Sequence, residues 1–206
     1  TAVIANFFGE REEEFVDMAR SLSEIDRIDA LEMNISCPNV AKGGVSFGQD
    51  ASVAAQLSRA VRKVTDLFLI VKLSPNVTDI KEIARAVEGE GVDAVSLINT
   101  FVGMSIDRET GRPYLGNETG GLSGPAIKPL ALRMVYETAK AVKIPIIGIG
   151  GIRNTEDVIE FFMAGARAIQ VGTANFIEPS VTMHILDGLK TYYREKGLSS
   201  LRDFRK

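Results

Sequence analysis

"IPIIGIGGIRNTEDVIEFFMAGARAIQVGTANF", residues 144–176, carries the information that decides the fold. "IPIIGIG" (144–150) is a β-branched run of strand length, "NTEDVIEFFMAG" (154–165) has the pattern of an amphipathic helix, and "AIQVGT" (168–173) is a second apolar run. No hairpin turn joins the two strands, and the helix between them supplies a crossover, so they are predicted to be parallel. Each strand runs straight into glycines, in "GIGGI" (148–152) and "VGTANF" (171–176). Glycine there lets backbone N–H groups approach a phosphate, and the N-terminus of a following helix favours negative charge. Tight turns alone would also use these glycines. A Rossmann dinucleotide site does not fit, because "GIGGIR" lacks the third glycine of that fingerprint and follows a late strand.

Working outward, the same alternation runs through the chain. Strands are predicted at 2–7, 30–36, 67–74 and 94–100, and helices at 10–25, 51–65, from Thr78 or Asp79 to about Glu90, at 125–142 and at 180–196. Six β-then-α units without hairpins predict an α/β fold with a parallel sheet. An open doubly wound sheet and a closed barrel both satisfy the alternation. The special residues favour the barrel: Asn6, Asn34, Lys72, Asn99, Gly150 and Gly172 all stand at or just past the C-terminal end of a strand, the rim on which barrel active sites lie. The expectation is a single (β/α)₈ TIM-barrel domain over 1–206. About two β/α units are expected to precede Thr1, because "TAVIANFFGE" (1–10) reads as a strand already under way. A polar, Gly-rich loop at 37–50 is expected to be a mobile lid, and 101–124 an irregular insertion.

Composition narrows the function classes. Apolar residues make up 45% and charged residues 25% of 206, as in ordinary globular proteins. With 24 Lys and Arg against 27 Asp and Glu, the net charge of −3 gives no footprint for nucleic acid or an anionic membrane. No apolar run reaches the length of a membrane span, and no signal peptide is visible. The single cysteine excludes an internal disulfide framework and fits a cytoplasmic setting. One His and one Cys make no zinc site, so no metal is expected. The three sequon-like stretches at Asn34, Asn76 and Asn117 read as coincidences.

Among single residues, Lys72 interrupts the apolar run "IVKLSP". Charge is seldom buried without a partner, so an inward lysine at the rim is expected to face an anionic ligand or developing negative charge. The alternative is an ammonium snorkelling to water. Asn6, Asn34 and Asn99 close three strands although asparagine is a poor strand former; an amide donates and accepts at once, which suits the edge of a heterocycle. His184 falls in the last amphipathic helix, away from the rim, and is read as structural. Cys37 opens the lid loop in "NISCPNV" (34–40). A lone cysteine is usually a buried filler. At a rim without a histidine it is poorly equipped for hydrolysis, but it could serve as a general base toward a carbon acid.

"NISCPN" followed by "GGVSFG", then "VKLSPN", "INT", "GGLSGPA", "GIGGI" and "VGTANF", in that order across the whole chain, resembles the class 1B dihydroorotate dehydrogenase family. The resemblance implies an FMN-binding barrel that oxidises dihydroorotate to orotate in pyrimidine biosynthesis. It implies Cys37 as the base that removes the C5 proton while hydride passes from C6 to flavin N5. It implies flavin contacts at Asn6, Asn34, Lys72, Ile98 and Gly124, with Lys72 near the N1–C2=O edge, and a phosphate site at Gly150, Gly151, Gly172 and Thr173. Substrate contacts are implied at Asn34, Asn99 and Thr100. Class 1B further implies a partner subunit carrying FAD and a 2Fe-2S cluster that relays electrons to NAD, and a homodimer of catalytic subunits within a heterotetramer. The loops "GGVSFG" and "SIDRETGRPYLGNETGGLSGPA" favour class 1B over the fumarate-linked class 1A.

Rival readings are fewer. Dihydropyrimidine-reducing barrels place their catalytic cysteine later in the lid, where this chain has Phe47. A tRNA dihydrouridine synthase should show a basic RNA-binding surface. A chain that binds phosphate without turning over is the remaining alternative.

Overall fold

The computed structural model describes residues 1–36 and 47–204. Six strands form one parallel sheet: β1 (Ile4–Phe7), β2 (Ala30–Asn34), β3 (Phe68–Lys72), β4 (Ala94–Leu97), β7 (Ile146–Ile149) and β8 (Ala168–Gln170). Two further strands, β5 (Phe101–Met104) and β6 (Thr119–Leu122), pair antiparallel as a separate ribbon. The helices are α1 (Glu12–Ser23), α2 (Ala51–Arg62), α3 (Ile80–Glu88), α4 (Lys128–Ala139), α5 (Thr155–Ala164), a single turn α6 (Ala174–Ile177) and α7 (Val181–Lys196).

The sheet order is β1-β2-β3-β4-β7-β8, so every strand of the sheet lies beside its predecessor in the chain. A doubly wound sheet reverses its order at a switch point, and this one does not. Curvature is shown by a single contact: Gln170 Nε2 at the end of β8 donates to Glu32 Oε1 in β2 at 2.7 Å. In a flat sheet those strands stand four places apart, roughly 19 Å at about 4.8 Å per strand. The sheet must therefore curl into a barrel wall, and the architecture is the (β/α) arrangement of a TIM barrel with six of its units in this chain.

Alternation along the strands separates two environments. Leu31, Met33, Leu69, Val71, Val95 and Leu97 point outward and pack with Leu57, Val61, Ile83, Val87, Val135 and Phe161 of the helices. The opposite face holds a small apolar layer, Ile70, Ala94 and Ile147. The same face also carries Glu32, level with Ile70, Ser96, level with Ile147, and Lys72 and Gln170 at the C-terminal ends of β3 and β8. The helices begin where the chain supplies caps: Asp50 accepts from Val53 N at 3.0 Å, Asp79 from Lys81 N at 2.9 Å and Asn154 from Asp157 N at 2.9 Å.

The ribbon is where the structure departs from an irregular 101–124. Its second strand is "TGGL", and glycine carries almost no strand signal. Its glycines serve packing instead: a Cβ on Gly121 would fall 2.3 Å from Thr100 Oγ1.

Candidate functional site

Parallel strands deliver all their C-terminal ends to one rim, and there a cavity of about 480 Å³ opens. Lys72 ends β3, and Ile98, Asn99 and Thr100 follow β4. Gly150 and Gly151 follow β7, and Gln170, Gly172 and Thr173 come from the end of β8 and the turn after it. Ser123 and Gly124 enter from the end of the ribbon, and Ile127, Ile149 and Ile152 make an apolar wall.

The glycines shape the backbone of this cavity. Gly150 and Gly151 have φ of 131° and 75°, where an L side chain is strained. A Cβ on Gly151 would stand 2.9 Å from both Gly124 O and Lys128 N, so the loop after β7 is pressed onto the start of α4. Lys128 Nζ reaches Asp157 at 2.6 Å, and Asp157 also accepts from Arg153 N at 2.9 Å, which ties the same loop to α5. That hydrogen bond to buried Asp157 holds the Lys128 ammonium above the ordinary lysine pKa. Gly172 differs: a Cβ there would meet nothing within 4 Å, so the backbone borders open space. Beside it Thr173 Oγ1 donates to Ser123 Oγ at 2.8 Å, drawing the β8 loop to the ribbon. Two glycine loops lining the cavity, a cation on the floor and an apolar wall together fit a planar heterocycle bearing a phosphate, as FMN is.

The floor beneath is polar and paired. Glu32 is 4% exposed and accepts from Asn6 Nδ2 at 2.6 Å, Ser96 Oγ at 2.7 Å and Gln170 Nε2 at 2.7 Å. Lys72 Nζ stands 3.8 Å from its Oε2. The inward lysine thus has a carboxylate partner within the protein while it also lines the cavity. Asn6 sits level with Glu32 in the register, one layer below Asn34, which is level with Lys72. The three strand-end asparagines are therefore not equivalent. Asn34 and Asn99 meet: Asn99 Nδ2 donates to Asn34 Oδ1 at 3.2 Å and to Ser36 Oγ at 2.6 Å. Asn99 Oδ1 accepts from Thr100 N at 2.8 Å, which turns the chain into the ribbon.

Of the predicted positions, Lys72, Ile98, Asn99 and Thr100 line the cavity, as do Gly124, Gly150, Gly151, Gly172 and Thr173. Asn6 and Asn34 stand in the polar layer without lining it. Cys37 and most of the predicted lid lie outside the described residues. The lid's C-terminal end is anchored, with Phe47 stacked edge-on to Phe15 at 5.4 Å and no room for a Cβ on Gly48, 2.7 Å from Ile35 O. His184 stands exposed on α7, paired with Glu178 at 2.6 Å. Among the described residues no group of His, Cys, Asp and Glu could hold a metal, and no helix is long and apolar enough to cross a membrane.

Sequence reasoning missed Glu32, Gln170 and Asn76. Asn76, dismissed as part of a sequon, donates to Thr100 O at 3.0 Å and accepts from Val102 N at 3.1 Å, pinning the base of the ribbon to the rim. The signal for Glu32 was available: a carboxylate inside the apolar run "ALEMN" is as anomalous as Lys72 in its own.

Comparison with known proteins places these features. The dihydroorotate dehydrogenase family model matches residues 1–192. The dihydroorotate dehydrogenase B (NAD(+)) catalytic subunit of Parabacteroides distasonis is 55% identical over 203 residues, covering 98% of this chain and 67% of that protein. Its counterpart from Trichlorobacter lovleyi is 54% identical over 201 residues, covering 98% and 66%. Among solved structures, Eimeria tenella DHODH in complex with ferulenol superposes with a TM-score of 0.75 at 25% identity, over 93% of this chain and 56% of the other. The chain spans about two thirds of the length of the curated relatives it matches.

Proposed function

The chain belongs to the dihydroorotate dehydrogenase family, and from that premise we propose that it forms the catalytic barrel of the NAD-linked class, oxidising dihydroorotate to orotate in pyrimidine biosynthesis. The observation that carries the reading is the rim cavity, in which two glycine loops after the last two strands face the polar floor bearing Lys72. In this proposal Gly150, Gly151, Gly172 and Thr173 hold the phosphate of FMN through backbone N–H groups. Ile98 and Gly124 would flank the ring system and Lys72 would present its ammonium to the N1–C2=O edge, while Asn6 and Asn34 would support them from the polar layer. When bound, FMN supplies the acceptor for the hydride that leaves C6 of dihydroorotate.

The chain's own residues do the rest. Asn34, Asn99 and Thr100 orient the pyrimidine; the hydrogen bond from Asn99 Nδ2 to Asn34 Oδ1, with that from Thr100 N to Asn99 Oδ1, fixes which amide atoms each offers. Cys37, as thiolate, takes the C5 proton. A partner subunit with FAD and a 2Fe-2S cluster would take up the electrons and pass them to NAD⁺, in a cytoplasmic heterotetramer built on a homodimer of catalytic subunits.

The test is anaerobic. Dihydroorotate added to the FMN-loaded protein should bleach the flavin's visible absorbance within one turnover, and dihydrouracil should not. Bleaching by dihydrouracil alone would assign the chain to the dihydropyrimidine-reducing barrels. FMN retained with neither compound oxidised would refute the proposed activity.

A further inference from the structure

Glu32 has no part in the chemistry proposed above, yet it is the most heavily engaged carboxylate beneath the cavity. Its partners come from four other strands: hydrogen-bond donors Asn6 from β1, Ser96 from β4 and Gln170 from β8, and the ion-pair partner Lys72 from β3. Asn6 and Lys72 address Oε2, while Ser96 and Gln170 address Oε1. The two amide nitrogens and the ammonium can only donate, so an ionised, acceptor-only carboxylate is the form that fits. Lys72 and Gln170 line the cavity, whereas Glu32 lies below them. A buried charge survives when it is paired and its remaining lone pairs are satisfied, and this one is.

We propose that Glu32 is the positioning residue of the cavity floor: it fixes where the Lys72 ammonium and the Gln170 amide stand, and its charge offsets the positive charge that Lys72 presents to a ligand. A lone ammonium in a low-dielectric pocket would act on an anionic ligand with its full charge. Beside a carboxylate 3.8 Å away it acts as one end of a dipole, whose field falls off faster. The pairing stands on the geometry alone. Its redox consequence rests on the FMN reading, because reduction adds negative charge to the flavin. Glu32 then keeps the flavin potential lower than an unpaired Lys72 would.

Glu32→Gln isolates the charge. The Gln amide can keep the network if Gln170 turns its own amide to offer Oε1, since Ser96 Oγ can accept as well as donate. Two measurements follow, both on the holoprotein's polypeptide, with and without FMN. In flavin-free protein, labelling of Lys72 by a small amine reagent, read by peptide mass spectrometry, should be several-fold faster in Glu32→Gln because the amine is no longer tethered. With FMN bound, the potential should move positive, by about 30 mV for a tenfold gain in relative affinity for the reduced flavin of a two-electron couple. In a Lys72→Met background the same substitution should move it by less than half as much, because the two residues act as a unit.

Unchanged Lys72 labelling, or normal FMN content with an unchanged potential, overturns the proposal and leaves the flavin reading standing. Failure of the unmodified protein to take up FMN, with Lys72 labelling faster in Glu32→Gln, overturns the flavin reading and supports the pairing. Should Glu32→Gln not fold, Glu32→Asp, which withdraws the carboxylate by one methylene, should give smaller changes of the same sign. No change in that variant is equally fatal. A purely structural Glu32 predicts lost stability with labelling and potential unmoved.

Discussion

Gly151 and Gly172 border the same cavity, but alanine at each should do opposite things. At Gly151 the backbone sits at φ 75°, which costs an L residue about 1–2 kcal/mol. The new methyl would also lie 2.8 Å from Lys128 Cβ and 2.9 Å from Gly124 O and Lys128 N. Two of those neighbours are backbone atoms, so the loop or the start of α4 must shift, an overpacking cost of about 1–3 kcal/mol. The sum, roughly 3 kcal/mol, is a large part of a typical total stability of about 5–15 kcal/mol. For a chain of this length it lowers Tm by about 6–12 °C. At Gly172 the methyl meets nothing within 4 Å, so stability should stay within about 0.5 kcal/mol. Yet that methyl projects into the space where the proposed phosphate must approach bare backbone. Gly172→Ala should therefore melt like the parent protein and bind FMN at least tenfold more weakly, read by titrating the quenching of FMN fluorescence. Parent-like FMN affinity in Gly172→Ala would refute the assignment of this loop to the phosphate. An unchanged Tm in Gly151→Ala would refute the packing argument.

Asn76→Ala should cost about 1–3 kcal/mol and speed proteolytic cleavage within 101–124, because Thr100 O and Val102 N lose their shared partner; equal cleavage rates would show that the ribbon is held elsewhere. The hydrogen bond to Asp157 raises the Lys128 pKa above its ordinary 10.5, so the stability this pair adds is complete below that value and is lost as pH rises through the raised one. Lys128→Met should accordingly lower Tm at neutral pH and flatten its alkaline decline, and a parallel decline in both proteins would contradict this. Cys37→Ser should slow flavin reduction by dihydroorotate by about 10²–10⁴-fold. A parent-like rate in Cys37→Ala would exclude the thiol as base.

Much of the fold was legible because it rests on short-range rules. Strand and helix alternation follows from apolar periodicity, and the caps Asp79 and Asn154 mark helix starts within a residue or two. Glycines after β7 and β8 marked the loops that border the cavity, and Gly150, Gly151, Gly172 and Thr173 all line it. The ribbon was illegible because its second strand is built on glycine, whose role appears only against Thr100. Asn76 escaped for a related reason: both its partners belong to the chain after β4, and nothing in "LSPN" points there.

The Glu32–Lys72 pair shows where reading by single residues ends and reading by register begins. An apolar strand containing one charge says only that a partner exists. Period two puts Glu32 and Asn34 on one face of β2, and Ile70 and Lys72 on one face of β3. Once the strands are aligned as Glu32↔Ile70 and Asn34↔Lys72, the two charges fall on the same face one step apart, within reach of each other. That register follows from neighbouring β/α units of similar construction, so two anomalous charges on adjacent inward faces are better interpreted as each other's partners before a ligand is invoked. The ligand then meets a floor that is already neutralised. Lys72 is not held at the rim by the anion it is proposed to serve: the protein holds it there, which places the cation before any flavin arrives.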